Sequence, residues 1–181
     1  MNTNKTVLNN SKKFLLVCSI FIVSSCFSQT WTTINETSGN FSFQMPSTPQ
    51  KYDTLNSLMY FYTIDSIALE VHSVCGIALT DSSMSPDSLG ENLSPLDLFA
   101  RVSLESTNGA LTCNTPVTIN GYIGREVGFY YLSAMDVNVY TFSEVLIFRN
   151  HFVTLSITAP QSYLSELLSY KDQFFNSLQI N

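Results

Sequence analysis

Glu70 and His72 are of the residue types that ligate metals or move protons, and a spacing of two puts both on one face of a strand. The opposite face carries Ile67, Leu69, Val71, Ser73, Cys75, Ile77 and Leu79, the pattern of a buried strand side, which leaves Glu70 and His72 turned away from that core. A structural metal site needs about four ligands, and the other histidine, His151, has no cysteine or acid beside it in a recognised ligand spacing. Glu70 and His72 therefore stand as candidate binding residues, with no metal and no cofactor assigned. Arg125 and Glu126 are the second candidate pair. Adjacent residues of a strand point to opposite faces, so the two cannot pair with each other. The functional reading puts Arg125 in an anion pocket. The plainer reading has each residue pairing with a neighbouring strand to fix register, at ~0.2 to 1 kcal/mol per pair. Gly121 and Gly124 suit turn and twist geometry better than a phosphate cradle, because this Gly-x-x-Gly opens a strand and not a helix. Asp81, Asp87 and Glu91 match no calcium-loop spacing, and no Gly-x-Ser-x-Gly elbow accompanies the many serines.

These residues sit in a chain of 181, with 8 Lys plus Arg against 14 Asp plus Glu and a formal net charge of −6. A chain of this size fits one domain that buries roughly 70% of the surface its unfolded form exposes. Only 12% of residues are charged, while 13 Phe and 9 Tyr enrich the aromatic content, so the surface is polar but weakly charged. The acidic balance opposes binding to phosphate backbones, where affinity comes from Lys and Arg releasing counterions, and nucleic acid is excluded as a partner.

The first 28 residues read as a signal peptide. Lys5, Lys12 and Lys13 precede the apolar run Phe14 to Val23, which falls short of the ~20 residues a membrane-spanning helix requires. Two processing readings compete. Cys26-Phe-Ser-Gln29 resembles the end of a bacterial signal peptide, and cleavage after Ser28 would release residues 29 to 181 as a single domain. Val23-Ser-Ser-Cys26 resembles a lipobox, in which a lipidated Cys26 would supply the only membrane attachment. Cleavage after Ser28 removes three lysines and no acid, leaving five basic residues against 14 acidic ones. Of the four cysteines it leaves Cys75 and Cys113, in a compartment where a disulfide can persist; their pairing and two buried thiols are both open.

Phe41, Phe43 and Met45 alternate as a strand that Pro46 closes. Residues 58 to 64 and 67 to 79 read as a hairpin about Asp65-Ser66, and the polar stretch 80 to 94 reads as a surface loop. Ser94, Pro95 and Asp97 are a cap, a first-turn proline and a dipole-complementing acid for a helix to about Thr107, stopped by Asn108-Gly109. Asn120-Gly121 between apolar segments predicts a hairpin of 117 to 119 with 122 to 132. Strand 138 to 149 is apolar on both sides and should be central. A last strand, 152 to 158, precedes an amphipathic helix over about 162 to 178. The sum is an α+β fold: an antiparallel sheet of about six to seven strands sandwiched by helices, one of them C-terminal. Tyr60, Phe61, Tyr62, Phe129, Tyr130 and Tyr131 exceed what one strand face can bury, which predicts some exposed aromatic surface.

Three segments carry a resemblance: Gly39-Asn-Phe-Ser-Phe-Gln-Met-Pro46, Asn120-Gly-Tyr-Ile-Gly-Arg-Glu126 and Phe174-Phe-Asn-Ser-Leu178. The chain resembles a family of secreted bacterial domains of uncharacterised function with a PsbP-like fold. That resemblance implies an antiparallel sheet between helices and brings no catalytic residues. The reading that follows is a non-catalytic exported domain, located in the periplasm, on the outer membrane or outside the cell. It would bind a protein or another envelope component through the sheet face or the 80 to 94 loop. The alternative is a small periplasmic hydrolase or metal-dependent enzyme using Glu70, His72, Arg125 or Glu126. The bulky Phe27 disfavours a lipobox, so the intact mass of the protein from its host should begin at Gln29 and carry no lipid; a diacylated product beginning at Cys26 would reverse that reading.

Overall fold

The computed structural model describes residues 30–75, 95–149 and 151–181. The expected signal peptide with Cys26, and the stretch holding Asp81, Asp87, Glu91 and Ser94, lie outside the described residues. Trp31–Asn181 is one compact unit. In chain order the described elements are β1 (Thr32–Glu36), β2 (Phe41–Met45), β3 (Gln50–Asp53), β4 (Ser57–Ile64), β5 (Ile67–Cys75), α1 (Pro95–Thr107), β6 (Ala110–Ile119), β7 (Tyr122–Leu132), β8 (Asn138–Phe148), β9 (His151–Pro160), a 3-10 turn (Gln161–Tyr163), α2 (Leu164–Asn176) and β10 (Gln179–Ile180). The fold is α+β. Its main sheet is antiparallel in the order β3-β4-β5-β9-β8-β7-β6, and β1, β2 and β10 form a second, smaller sheet.

The local chemistry explains the boundaries. Asn120 and Gly121 both have positive φ, 49° and 84°, as a two-residue hairpin turn with the right twist demands. Asn108, at φ 50°, ends α1 in the left-handed region where asparagine is tolerated. Three short strands escape the sequence pattern. β1 and β3 are mostly exposed and β10 has two residues, so none offers enough alternation to read. β6 starts seven residues before the predicted hairpin arm because, as an edge strand with a largely exposed surface, it has no buried face to mark it. Pro116 fits such an edge, where no outer neighbour needs its missing N–H.

Strands β8 and β9 run through the middle and are covered on both faces. On one side Leu146, Phe148, Val153, Leu155 and Ile157 pack with Phe41, Phe43 and Met45 of the small sheet and with Leu167, Phe174 and Phe175 of α2. On the other side Val145 of β8 packs with Val127 and Phe129 of β7 against Leu96 and Ala100 of α1. The larger cluster is the main core; each fully buried Phe, Leu or Val in it contributes roughly 1.5 to 3 kcal/mol.

A buried carboxylate ties the small sheet to the edge of the large one. Glu36, 5% exposed, accepts hydrogen bonds from the Ser38 N–H (2.9 Å) and hydroxyl (2.5 Å), the Tyr60 hydroxyl (2.6 Å) and Lys51 Nζ (3.3 Å). Burial alone pushes this carboxyl upward, but these donors outweigh it and bring the pKa from 4.5 down to about 2. A depressed acid stabilises the fold above its unfolded pKa, and that contribution is lost as pH falls toward the folded value. Chemical denaturation of the wild type should lose about 2 kcal/mol through Glu36 between pH 7 and pH 3. Glu36→Gln should lower stability at pH 7 and flatten that acid limb; an unchanged acid limb would contradict the assignment.

Candidate functional site

Strand β7 organises the polar chemistry of the described residues, because its adjacent charges leave by opposite faces. Arg125 lies between Pro116 of β6 and Val145 of β8, neither of which offers a counter-charge. Its partner is Asp97 in the first turn of α1, which Arg125 Nη2 contacts directly. Glu126 lies between Thr115 and Glu144 and finds its partner overhead in α2, where Lys171 Nζ donates to Oε1 at 2.6 Å. The expectation that these charges pair with neighbouring strands is corrected: each binds a covering helix, because the strands beside them supply none of the needed sign. The same ammonium lies 5.4 Å and 5.7 Å from the Phe142 and Phe175 ring centroids, where the ring faces attract a cation.

Glu144 is the residue left over. Burial pushes its carboxyl up from 4.5 to about 7, the Glu126 carboxylate beside it adds to the rise, and Lys171 only partly opposes them. Cys113, on the same side of the sheet, has its thiol raised by burial first and then by Glu126. Burial works against the Lys171 charge, but the bond to Glu126 more than compensates and its pKa is raised. Glu144 opens onto a cleft of about 480 Å³ between the Asn120 turn and the C-terminal end of α2, lined also by Asn120, Phe175, Asn176 and Gln179. A second cleft, about 490 Å³, lies under α1 between Asp97, Leu104, Leu111 and Asn114. Gly124 has no room for a side chain: a Cβ there would stand 2.6 Å from the Val145 carbonyl oxygen of β8.

The sequence-predicted residues do not converge. Glu70 and His72 share the α1 face of the sheet with Arg125, but two strands, β9 and β8, separate them from β7, and three strand spacings amount to ~14 Å. Glu126 leaves by the other face. His72 Nε2 lies 2.7 Å from the Ser57 hydroxyl, and His151 Nδ1 lies 3.3 Å from that of Ser73 while its ring stacks on Phe148. Among the described residues no three His, Cys, Asp or Glu side chains gather as a metal cage would require. Cys75 is exposed at the end of β5, which corrects its expected burial, and both cysteines are free. Four strand spacings, ~19 Å, separate β5 from β6, far beyond the ~7 Å between Cα atoms that a disulfide can bridge, so Cys75 and Cys113 of one chain do not pair.

The β7–β8 hairpin end is apolar and exposed. Met135 is 84% and Leu132 59% exposed, with Val137 and Tyr130 beside them and Tyr130 stacked on Tyr140 at 5.5 Å between centroids. Leu111 on β6 is exposed too, but on the α1 face with its strand partner Phe129. The surplus of aromatic residues predicted such a surface, and Tyr130 is the member of that group that supplies it.

Among solved structures the chain is similar to the cyanobacterial PsbP (CyanoP) from Synechocystis sp. PCC 6803, with a TM-score of 0.59 and 13% identity, over 87% of this chain and 96% of that one. The chain has a PsbP-like fold. It is also similar to the protein of unknown function PA94 from Pseudomonas aeruginosa, with a TM-score of 0.50 and 10% identity, over 83% of this chain and 97% of that one. At these identities the likeness is one of fold. No family model and no curated protein matches the chain.

Glu144 and Lys171 were missed in the sequence. A single acid inside the apolar run Phe142-Ser-Glu-Val-Leu-Ile-Phe148 is the signal that could have found the first; Lys171 reads only as the polar side of a helix. Because the folded pKa of Glu144 is raised, its ionisation costs stability from about pH 4.5 upward, with the full cost reached above about 7. Glu144→Gln should therefore stabilise the protein at pH 8 by on the order of 1 kcal/mol and change little at pH 4, as read by denaturant titration; equal effects at both pH values would contradict this.

Proposed function

We propose that this protein is an exported binding domain, in which residues 1–28 direct export and residues 29–181 dock on a protein of the cell envelope without catalysing a reaction. The observation that carries the reading is the exposed apolar end of the β7–β8 hairpin, Tyr130, Leu132, Met135 and Val137, on a chain of net charge −6. Large exposed apolar side chains grouped together favour a protein partner over bulk water, and methionine adapts its shape to the surface it meets. The PsbP-like fold supplies a rigid support for that end, with β7 and β8 held from both faces. On this reading the partner is one met in the periplasm, at the outer membrane or outside the cell, whether the domain diffuses freely or is tethered at Cys26.

The hairpin end should behave as the centre of an interface. Met135→Ser combined with Leu132→Ser should reduce recovery of a stoichiometric partner from host envelope extracts by tenfold or more, equivalent to at least about 1.4 kcal/mol. The thermal midpoint should barely move, because both side chains already face water. Undiminished recovery of the same partner by the double variant would refute the proposed surface.

A further inference from the structure

Cys75 and His151 meet at the Phe148 end of β8, remote from the apolar hairpin end, and the backbone fixes how closely. The Cys75 N–H donates to the Asn56 carbonyl at 2.9 Å, on the β4 side. The N–H and C=O of a strand residue point the same way, so Cys75 sends neither toward β9, where its register partner is His151. The two residues are therefore a pair with no backbone hydrogen bond between them. In an antiparallel sheet such pairs have Cα atoms only about 4.5 Å apart and bring their side chains closest.

The imidazole is already oriented as a ligand would be. Its Nδ1 lies 3.3 Å from the hydroxyl of Ser73, a side chain 4% exposed that shares its face of β5 with Cys75. Its ring stacks on the buried Phe148, with centroids 5.8 Å apart. The tautomer in which Nδ1–H donates to Ser73 leaves the Nε2 lone pair free, and a partner on the second nitrogen is what orients metal-bound histidines. Among the described residues neither Nε2 nor the exposed Cys75 thiol has a hydrogen-bond partner. No third His, Cys, Asp or Glu among them joins the pair. Zinc sites take three or four protein ligands, and calcium takes oxygens. One soft thiolate and one imidazole instead suit a soft monovalent cation that accepts two-coordinate geometry.

We propose that Cys75 and His151 form a surface site for Cu(I), with the Cys75 thiolate and His151 Nε2 as its two ligands and Ser73 as the residue that positions the ring. Binding displaces the thiol proton to water and transfers no electron, since the metal arrives and stays as Cu(I).

The test is an anaerobic titration of the reduced protein, purified from its host, with Cu(I) held by a weak chromogenic chelator. Each chain should take one equivalent from the chelator, and the ring-nitrogen resonances of His151 should shift as it does so. Cys75→Ser and His151→Gln, each checked for an unchanged thermal midpoint without metal, should both remove that equivalent. Cys113→Ser should leave it in place, and Zn(II) at the same concentration should not be retained. Ser73→Ala should alter the His151 tautomer read from the metal-free ring-nitrogen shifts and weaken binding about tenfold; neither change would overturn its positioning role. No transfer from the chelator, copper retained undiminished by His151→Gln, loss of the site in Cys113→Ser, or equal retention of Zn(II) would each overturn the proposal. The apolar hairpin variants bear on the docking surface only and leave this result untouched.

Discussion

A central strand that carries buried apolar residues on both faces imposes the main constraint on this molecule. A strand such as β8 cannot leave either side to water: Leu146 and Phe148 face one layer and Val145 faces another. The chain answers with α2 and the β1-β2-β10 sheet on one face and α1 on the other. The two covers are unequal. The α2 side builds a deep cluster rich in phenylalanine, while α1 contributes Leu96 and Ala100 to a smaller one. Charge then pins what apolar burial has brought together: Glu36 holds the small sheet through Tyr60 and Lys51, Lys171 fastens α2 to Glu126, and Asp97 fastens α1 to Arg125. Directional bonds of this kind contribute less than burial does, but they fix the angle and register at which the covers sit.

The same arrangement decides which parts of the molecule are available to ligands. Covering β8 and β9 on both sides uses up the sheet faces near the centre, so accessible chemistry moves to the ends and to the seams beside the helices. One end of the β7–β8 pair runs out past its cover and shows Leu132 and Met135. Toward the other end the strands meet the last turn of α2, and a polar cleft runs there from the Asn120 turn to Glu144 in mid-strand. The exposed apolar hairpin marks where this strand pair leaves its cover, whereas the raised pKa of Glu144 marks a carboxyl that the cover buries in mid-strand. Lys171 links the two themes of stability and site chemistry, because its single charge serves Glu126 and leaves Glu144 without a bonded partner.

Much of this was legible in the residues. Asn120-Gly121 announced the β6–β7 turn, Pro95 and Asp97 the start of α1, and the doubly apolar strand at 138 to 149 its central position, because each signal is local and acts through backbone geometry or burial. The edge strands were illegible for the converse reason: β3 and most of β6 have no buried face, so their pairing is set by neighbours far along the chain. The charges show the same division. That Arg125 and Glu126 leave by opposite faces follows from strand geometry alone, but their partners Asp97 and Lys171 stand 28 and 45 positions away and depend on how the helices dock. Glu70 and His72 share a face as their spacing requires, yet sharing a face did not bring them to Arg125, since nothing in their spacing sets the order of strands.

The account rests on the β7–β8 hairpin end being the surface that meets another protein. Placing a photo-crosslinking residue at Met135, and separately at the still more exposed Leu55 on the opposite edge of the sheet, tests that directly in the living host. A single discrete protein adduct from position 135 and none from position 55 is the predicted result. Adducts that are absent at 135, or the same at both positions, would contradict it.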